Sequence, residues 1–138
     1  MIFYSVICVV AKVIDIGNSR ESSGLRTIDV SGEDYGYIVS HQNYERYDYW
    51  DNRNWTLTLT GLKSTRVEIE FEYLDLRGLN GECDDYLQIS SSSKICESST
   101  GKITVDLPSA KSVSFNFITS DRYDDDGFWL QYKGRLKL

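Results

Sequence analysis

The sequence predicts an all-β fold, a sandwich or barrel of short strands, on three observations. Apolar and polar residues alternate over at least six short segments. These segments recur at spacings of about ten residues, with no helical period between them. Ten tyrosines, three tryptophans and five phenylalanines stand against one proline and one methionine, which suits pleated, half-buried surfaces. A chain of 138 residues supplies one hydrophobic core and therefore one domain.

The elements follow in chain order. The opening "MIFYSVICVVAKV" is an apolar run ending in "VVA". It reads either as a leader cleaved after Ala11, although it lacks a positive n-region, or as a strand or two running on through "VIDI". Residues 18–24 form a polar loop, and "SGED" at 31–34 is a turn before "YGYIVS". The tract "HQNYERYDYWDNRN", 41–54, is polar and aromatic at once. It is expected to be a long loop whose tyrosines lean on a sheet edge or face outward, with His41 at the surface.

Regular alternation then begins. "WTLTLTGL" sets Trp55, Leu57 and Leu59 on one face and Thr56, Thr58 and Thr60 on the other. "RVEIEFEYLDL" repeats the pattern, with Val67, Ile69, Phe71 and Tyr73 inward and Glu68, Glu70 and Glu72 outward. The three glutamates are thus the wet face of a strand and not a catalytic cluster. "DYLQI", "KITVDL", "SVSFNFITS" and "FWLQYKGRL" continue the series, with serines 90–93 as a solvated hairpin turn.

Charge and cysteine content narrow the function. With 21 acidic against 15 basic residues, the net charge of -6 disfavours a nucleic acid partner and leaves a protein, a cation or a sugar. No apolar run approaches the roughly 18 residues of a membrane span. Cys83 and Cys96 bracket a strand-like run and a serine-rich turn, so they either meet as a disulfide across a hairpin or remain separate reduced thiols. Cys8 stands alone, and cleavage after Ala11 would remove it.

Catalytic sets are not assembled. His41 is the only histidine, and no serine sits in a nucleophile-elbow motif. A zinc site would need His41 plus both later cysteines. "GLNGE" lacks the following helix of a phosphate-binding loop. Paired aspartates alone do not make a glycosidase. The chain is expected not to be an enzyme.

At this point the residues carry a recognisable order. "GYIVS" is followed by a tyrosine-rich loop with Tyr44 and Tyr47, by Trp55 heading its strand, and by "FEYLDL". After these come "CDDYLQI", Cys96, "FNFITSD" and "GFWLQY". The sequence resembles the CUB domain family, with Ser120 and Asp121 matching its Ser-Asp pair and Gly127, Phe128 and Tyr132 its ending. The resemblance implies a CUB-like antiparallel β-sandwich of jelly-roll type over 36–138, with 1–35 as an N-terminal extension holding a leader or an extra strand. It departs from the pattern where Arg53 and Asn54 replace the cysteine of an earlier disulfide, and where the "CDDY" turn is one residue short.

The resemblance also implies an extracellular or cell-surface module that binds proteins, with a calcium site at one end of the sandwich. Calcium takes roughly six to eight oxygen ligands, so several carboxylates must converge. Asp85 and Asp121 match two family ligands. Asp124, first of the three carboxylates in "RYDDDG", is the expected third ligand, with Asp125, Asp126, Glu82 and Asp84 as further oxygen sources. Where calcium-binding members carry a glutamate, this chain has Arg77. Its guanidinium is an alternative internal cation that would brace both aspartates.

The expected partner is a protein ligand presenting a basic residue to a rim of Tyr44, Tyr47, Asp85, Asp121 and Tyr123. Asn54 opens the sequon "NWT" and would carry a glycan if the chain is secreted by a eukaryotic cell. Two alternatives stand beside this reading. One is a self-assembling subunit pairing its first 35 residues with a neighbour's sheet edge. The other is a carbohydrate-binding sandwich using Trp50, Trp129 or exposed tyrosines.

Overall fold

The structure, a computed structural model, describes residues 12–17, 23–41, 44, 49–76, 83–90, 92, 94–96, 102–120 and 127–135. Nine strands lie among them: β1 (Val13–Gly17), β2 (Ser23–Asp29), β3 (Tyr35–His41), β4 (Asn54–Thr60), β5 (Arg66–Asp75), β6 (Tyr86–Ile89), β7 (Lys102–Asp106), β8 (Val113–Ile118) and β9 (Gly127–Arg135). They form a β-sandwich of two sheets, ordered β1-β3-β9-β5-β7 and β2-β4-β8-β6. The all-β sandwich expected from the alternation and the resemblance is the fold observed.

Strands β1 with β3 and β2 with β4 run parallel, and the other pairings are antiparallel. The reason is topological. The first four strands step back and forth between the sheets, so each same-sheet neighbour lies two strands on and points the same way. Strands β1 and β2 are therefore each one of the two outermost strands of their sheets.

The polar loop expected over 18–24 ends early, because Ser23 and Gly24 already pair with Asn54 and Trp55 as β2 opens. Hydropathy hides this strand. Its outward Leu25 is 86% exposed, and an arginine, Arg26, turns toward β1 to pair with Asp15 at 3.0 Å.

Alternation in β4 works as the sequence suggests, burying Trp55, Leu57 and Leu59. In β5 it holds through Ile69 and then shifts. A β-bulge between Phe71 and Tyr73 adds one residue against β9. One extra residue reverses the facing of everything beyond it, so Leu74 is buried and Tyr73 is 41% exposed. The inward placement expected for Tyr73 is corrected accordingly.

Aromatic rings interlock where the sheets meet. Phe117 packs edge-on against Phe128 at 5.2 Å and Tyr49 at 5.3 Å, with Trp55 tilted over it at 5.9 Å. Each such pair adds about 0.5–1.5 kcal/mol beyond burial. Tyr49, expected to lean on an edge or face outward, is instead a core residue.

Cys83 and Cys96 form a disulfide with Cα atoms 5.5 Å apart. Between them Leu87 and Ile95 exchange two backbone hydrogen bonds of 2.9 Å, so the bridge clasps a hairpin around β6. The serine turn beyond β6 is anchored on one side: Ser92 Oγ accepts the Ile89 N–H at 3.0 Å.

Candidate functional site

Strand pairing gathers several chain ends at one end of the sandwich. There β3, β5 and β8 finish while β4, β6 and β9 begin, as the pairs Val39 with Trp129, Asp75 with Gly127, and Ile118 with both Asn54 and Tyr86 require. Asp85 sits just ahead of β6 at this rim and is only 2% exposed.

Two donors hold its carboxylate. The Ser120 N–H, at the end of β8, donates to Oδ1 at 2.6 Å, and the Tyr49 hydroxyl donates to Oδ2. The phenol reaches Asp85 because its ring is wedged in the core against Phe117. A buried carboxylate needs such bonds, since each donor offsets part of its lost hydration. No lysine or arginine among the described residues forms an ion pair with Asp85.

A second buried polar group lies beside the first. His41 ends β3 with 1% exposure, and its Nδ1 is 2.6 Å from Ser40 Oγ, which also accepts the Phe128 N–H at 3.2 Å. The imidazole meets the Tyr49 ring edge-on at 6.2 Å and the Tyr44 ring at 5.8 Å. His41 is thus a packed strand-end residue, correcting the surface position expected from its polar surroundings. The strand runs one residue into the polar tract and carries His41 into the rim.

Gly127 fixes where β9 leaves this end. Its φ of 98° suits glycine, and a Cβ there would lie 2.0 Å from Ser40 Oγ. The close approach lets Phe128 reach Ser40.

Among the expected site residues, the structure brings Asp85 to the rim, as a buried footing and not an exposed contact. Half-buried Tyr44 spans from His41 toward Tyr73, whose ring centroid is 6.4 Å away. Tyr47, Arg77, Asp121, Tyr123 and Asp124 lie outside the described residues, as do Cys8, Ala11, Glu82, Asp125 and Asp126. Asp121 follows Ser120 directly in the chain. Asn54 is exposed at the start of β4, with its side-chain carbonyl accepting the Asn116 amide at 2.9 Å. Sequence reasoning missed Tyr49, Ser40 and the Ser120 N–H; a backbone donor leaves no mark in residue type.

Among the described residues, no three His, Cys, Asp or Glu side chains are grouped so as to hold a metal. No helix among them is long and apolar enough to cross a membrane.

A family model described as CUB domain matches residues 29–132. Solved structures similar to the chain include the CUB1-EGF-CUB2 domains of rat MASP-1, 20% identical with a TM-score of 0.58, over 79% of this chain and 42% of that one. The full extracellular region of zebrafish Gpr126/Adgrg6 is 18% identical with a TM-score of 0.59, over 86% of this chain and 15% of that one. The MASP-1 CUB2 domain bound to Ca2+ is 19% identical with a TM-score of 0.56, over 80% of this chain and 96% of that one. At these identities the likeness is one of fold, and the chain spans less than half the length of the first two. No curated protein sequence matches it.

Proposed function

This chain belongs to the CUB domain family, and we propose that it is an extracellular, non-catalytic protein–protein interaction or adhesion module whose rim is ordered by calcium. The observation that carries the reading is the buried carboxylate of Asp85, which has two hydrogen-bond donors and no ion-pair partner among the described residues. A buried anion favours a nearby cation strongly. Each carboxylate oxygen keeps a second lone pair, so Asp85 retains capacity for a metal beside Tyr49 and Ser120.

In this reading Asp121 and Asp124 join Asp85 around the ion, which neutralises the carboxylates and fixes the loops they stand on. Tyr44, Tyr47 and Tyr123 then frame a surface for a basic residue of a protein ligand. The MASP-1 CUB2 domain has been solved bound to Ca2+, which supports the cation without assigning ligands here. Arg77 is the alternative cation. An Arg77→Glu variant that gains calcium affinity would identify it as the substitute for the ion. Mass spectrometry of chain secreted from eukaryotic cells tests a glycan on Asn54.

A screen against extracellular protein domains, run with calcium and again with EDTA, tests the function. A specific ligand lost in EDTA and in Asp85→Asn supports it; ligands indifferent to both refute the rim. Self-assembly is the second reading, favoured by Val13 and Leu25, which are 62% and 86% exposed on the outermost strands β1 and β2. A monomer throughout a light-scattering concentration series would remove it.

A further inference from the structure

The outward face of the five-stranded sheet is divided in two. Toward β7, charges are matched: Glu68 pairs with Arg135 at 3.1 Å and Lys102 at 3.9 Å, and Arg66 pairs with Asp106 at 2.9 Å. Toward β3 and the rim, aromatic rings replace the ion pairs. Tyr37 lies 5.8 Å from Trp129 at 58°, and 5.9 Å from Tyr35 at 73°. Tyr35, Tyr73 and Trp129 remain 40%, 41% and 38% exposed on the outward sheet surface. Exposed aromatic area of this kind on a rigid element is a signature of recognition.

The β5 bulge completes the patch. It turns Tyr73 outward opposite Trp129 and leaves Glu72 exposed beside it, so a carboxylate and a ring are presented together. Glu70 lies in the same row as Tyr37, across Gln131, with Lys102 opposite it on β7, and is exposed as well. Neither Glu70 nor Glu72 forms an ion pair among the described residues, in contrast to Glu68 on the same strand. The Tyr37 hydroxyl is 3.1 Å from that of Tyr35, and this bond, ahead of burial and of the charge of Glu72, raises the Tyr37 pKa.

Exposed carboxylates beside exposed π faces are complementary to a cation with an apolar stem. A guanidinium or ammonium is attracted by ring faces and by carboxylates together, and its methylene chain covers aromatic surface. The ring geometry argues against sugar: rings tilted by 58° and 73° offer no coplanar platform for successive pyranoses.

We propose that this face, formed by Tyr37, Tyr73 and Trp129 with Glu70 and Glu72, binds an arginine- or lysine-bearing segment of a partner protein. The inference rests on the reading of the chain as a protein-interaction module, but it uses the sheet face and not the loop rim, and it needs no calcium.

The test titrates a short capped peptide alternating arginine with threonine into the whole 15N-labelled chain in EDTA, beside the same peptide with citrulline for arginine. The Trp129 indole and Tyr37 amide signals are expected to shift saturably with the arginine peptide alone. Trp129→Ala should weaken binding about tenfold, and Glu72→Gln about threefold. Glu33→Gln, an exposed charge in the turn before β3, should leave it unchanged. Melting curves identify any variant that fails to fold. Equal losses from Glu72→Gln and Glu33→Gln would reduce the effect to net charge and overturn the proposal. So would equal binding of the citrulline peptide, the same signals moving with a neutral oligosaccharide or with protein concentration alone, or no shift. Because EDTA is present throughout, failure here is distinct from failure of a calcium-dependent rim.

Discussion

The Tyr49 hydroxyl donates to the Asp85 carboxylate across 36 residues of sequence, joining the polar tract after β3 to the start of β6. One partner is a core ring and the other a rim anion, so the contact ties loop position to sandwich packing. Ser120 completes the tie from β8.

Removing the phenol should therefore weaken the rim more than its size suggests. Tyr49→Phe leaves a buried charge with one donor fewer and should cost about 1.5–3 kcal/mol by chemical denaturation. The double variant with Asp85→Asn should cost less than the sum of the singles. Additive losses would show that the two residues act separately.

Tyr132 offers a test of the opposite sign. Its hydroxyl is buried with no hydrogen-bond partner among the described residues, and burial, followed by the charges of Glu33 and Asp34, raises its pKa above the ordinary 10.0. A tyrosine raised in the folded state contributes stability that is full below pH 10.0 and is lost as pH climbs through the folded value. Tyr132→Phe should thus raise stability at neutral pH by about 1 kcal/mol and flatten the alkaline decline in melting temperature. A loss of stability would contradict the unpartnered hydroxyl.

At Gly127 both backbone and space oppose a side chain. Gly127→Ala combines a φ of 98° with a Cβ 2.0 Å from Ser40 Oγ, and should cost at least about 2 kcal/mol. Ser40→Ala in the same chain removes the Oγ contact but keeps the φ and a Cβ 3.0 Å away, and strips the Phe128 N–H of its acceptor, so it should not restore the parent's stability.

Reduction tests the clasp around β6. Opening Cys83–Cys96 releases a loop of 13 residues and should lower stability by about 3 kcal/mol. An unchanged urea midpoint in reductant would mean that the hairpin is held by Leu87 and Ile95 alone.

These features differ in how far residue order foretells them. Strands β4 and the first half of β5 were legible because one face is buried and the other wet, which writes a period of two into the sequence. Strand β2 was not, since an outermost strand with Leu25 in solvent and Arg26 turned toward β1 carries no such signal. The bulge was equally silent: one added residue changes the facing of Tyr73 without changing composition. His41 was misjudged from its polar neighbours, when its burial depends on where β3 ends. For the rim, matching motifs pointed to Asp85, but its partners are a distant phenol and a backbone N–H.

The most direct test of the account is calorimetric titration of calcium into EDTA-treated chain, with melting temperature followed in parallel. Saturable binding and a raised melting temperature, both lost in Asp85→Asn, are the expected result. No heat and no shift in the parent chain would contradict a calcium-ordered rim.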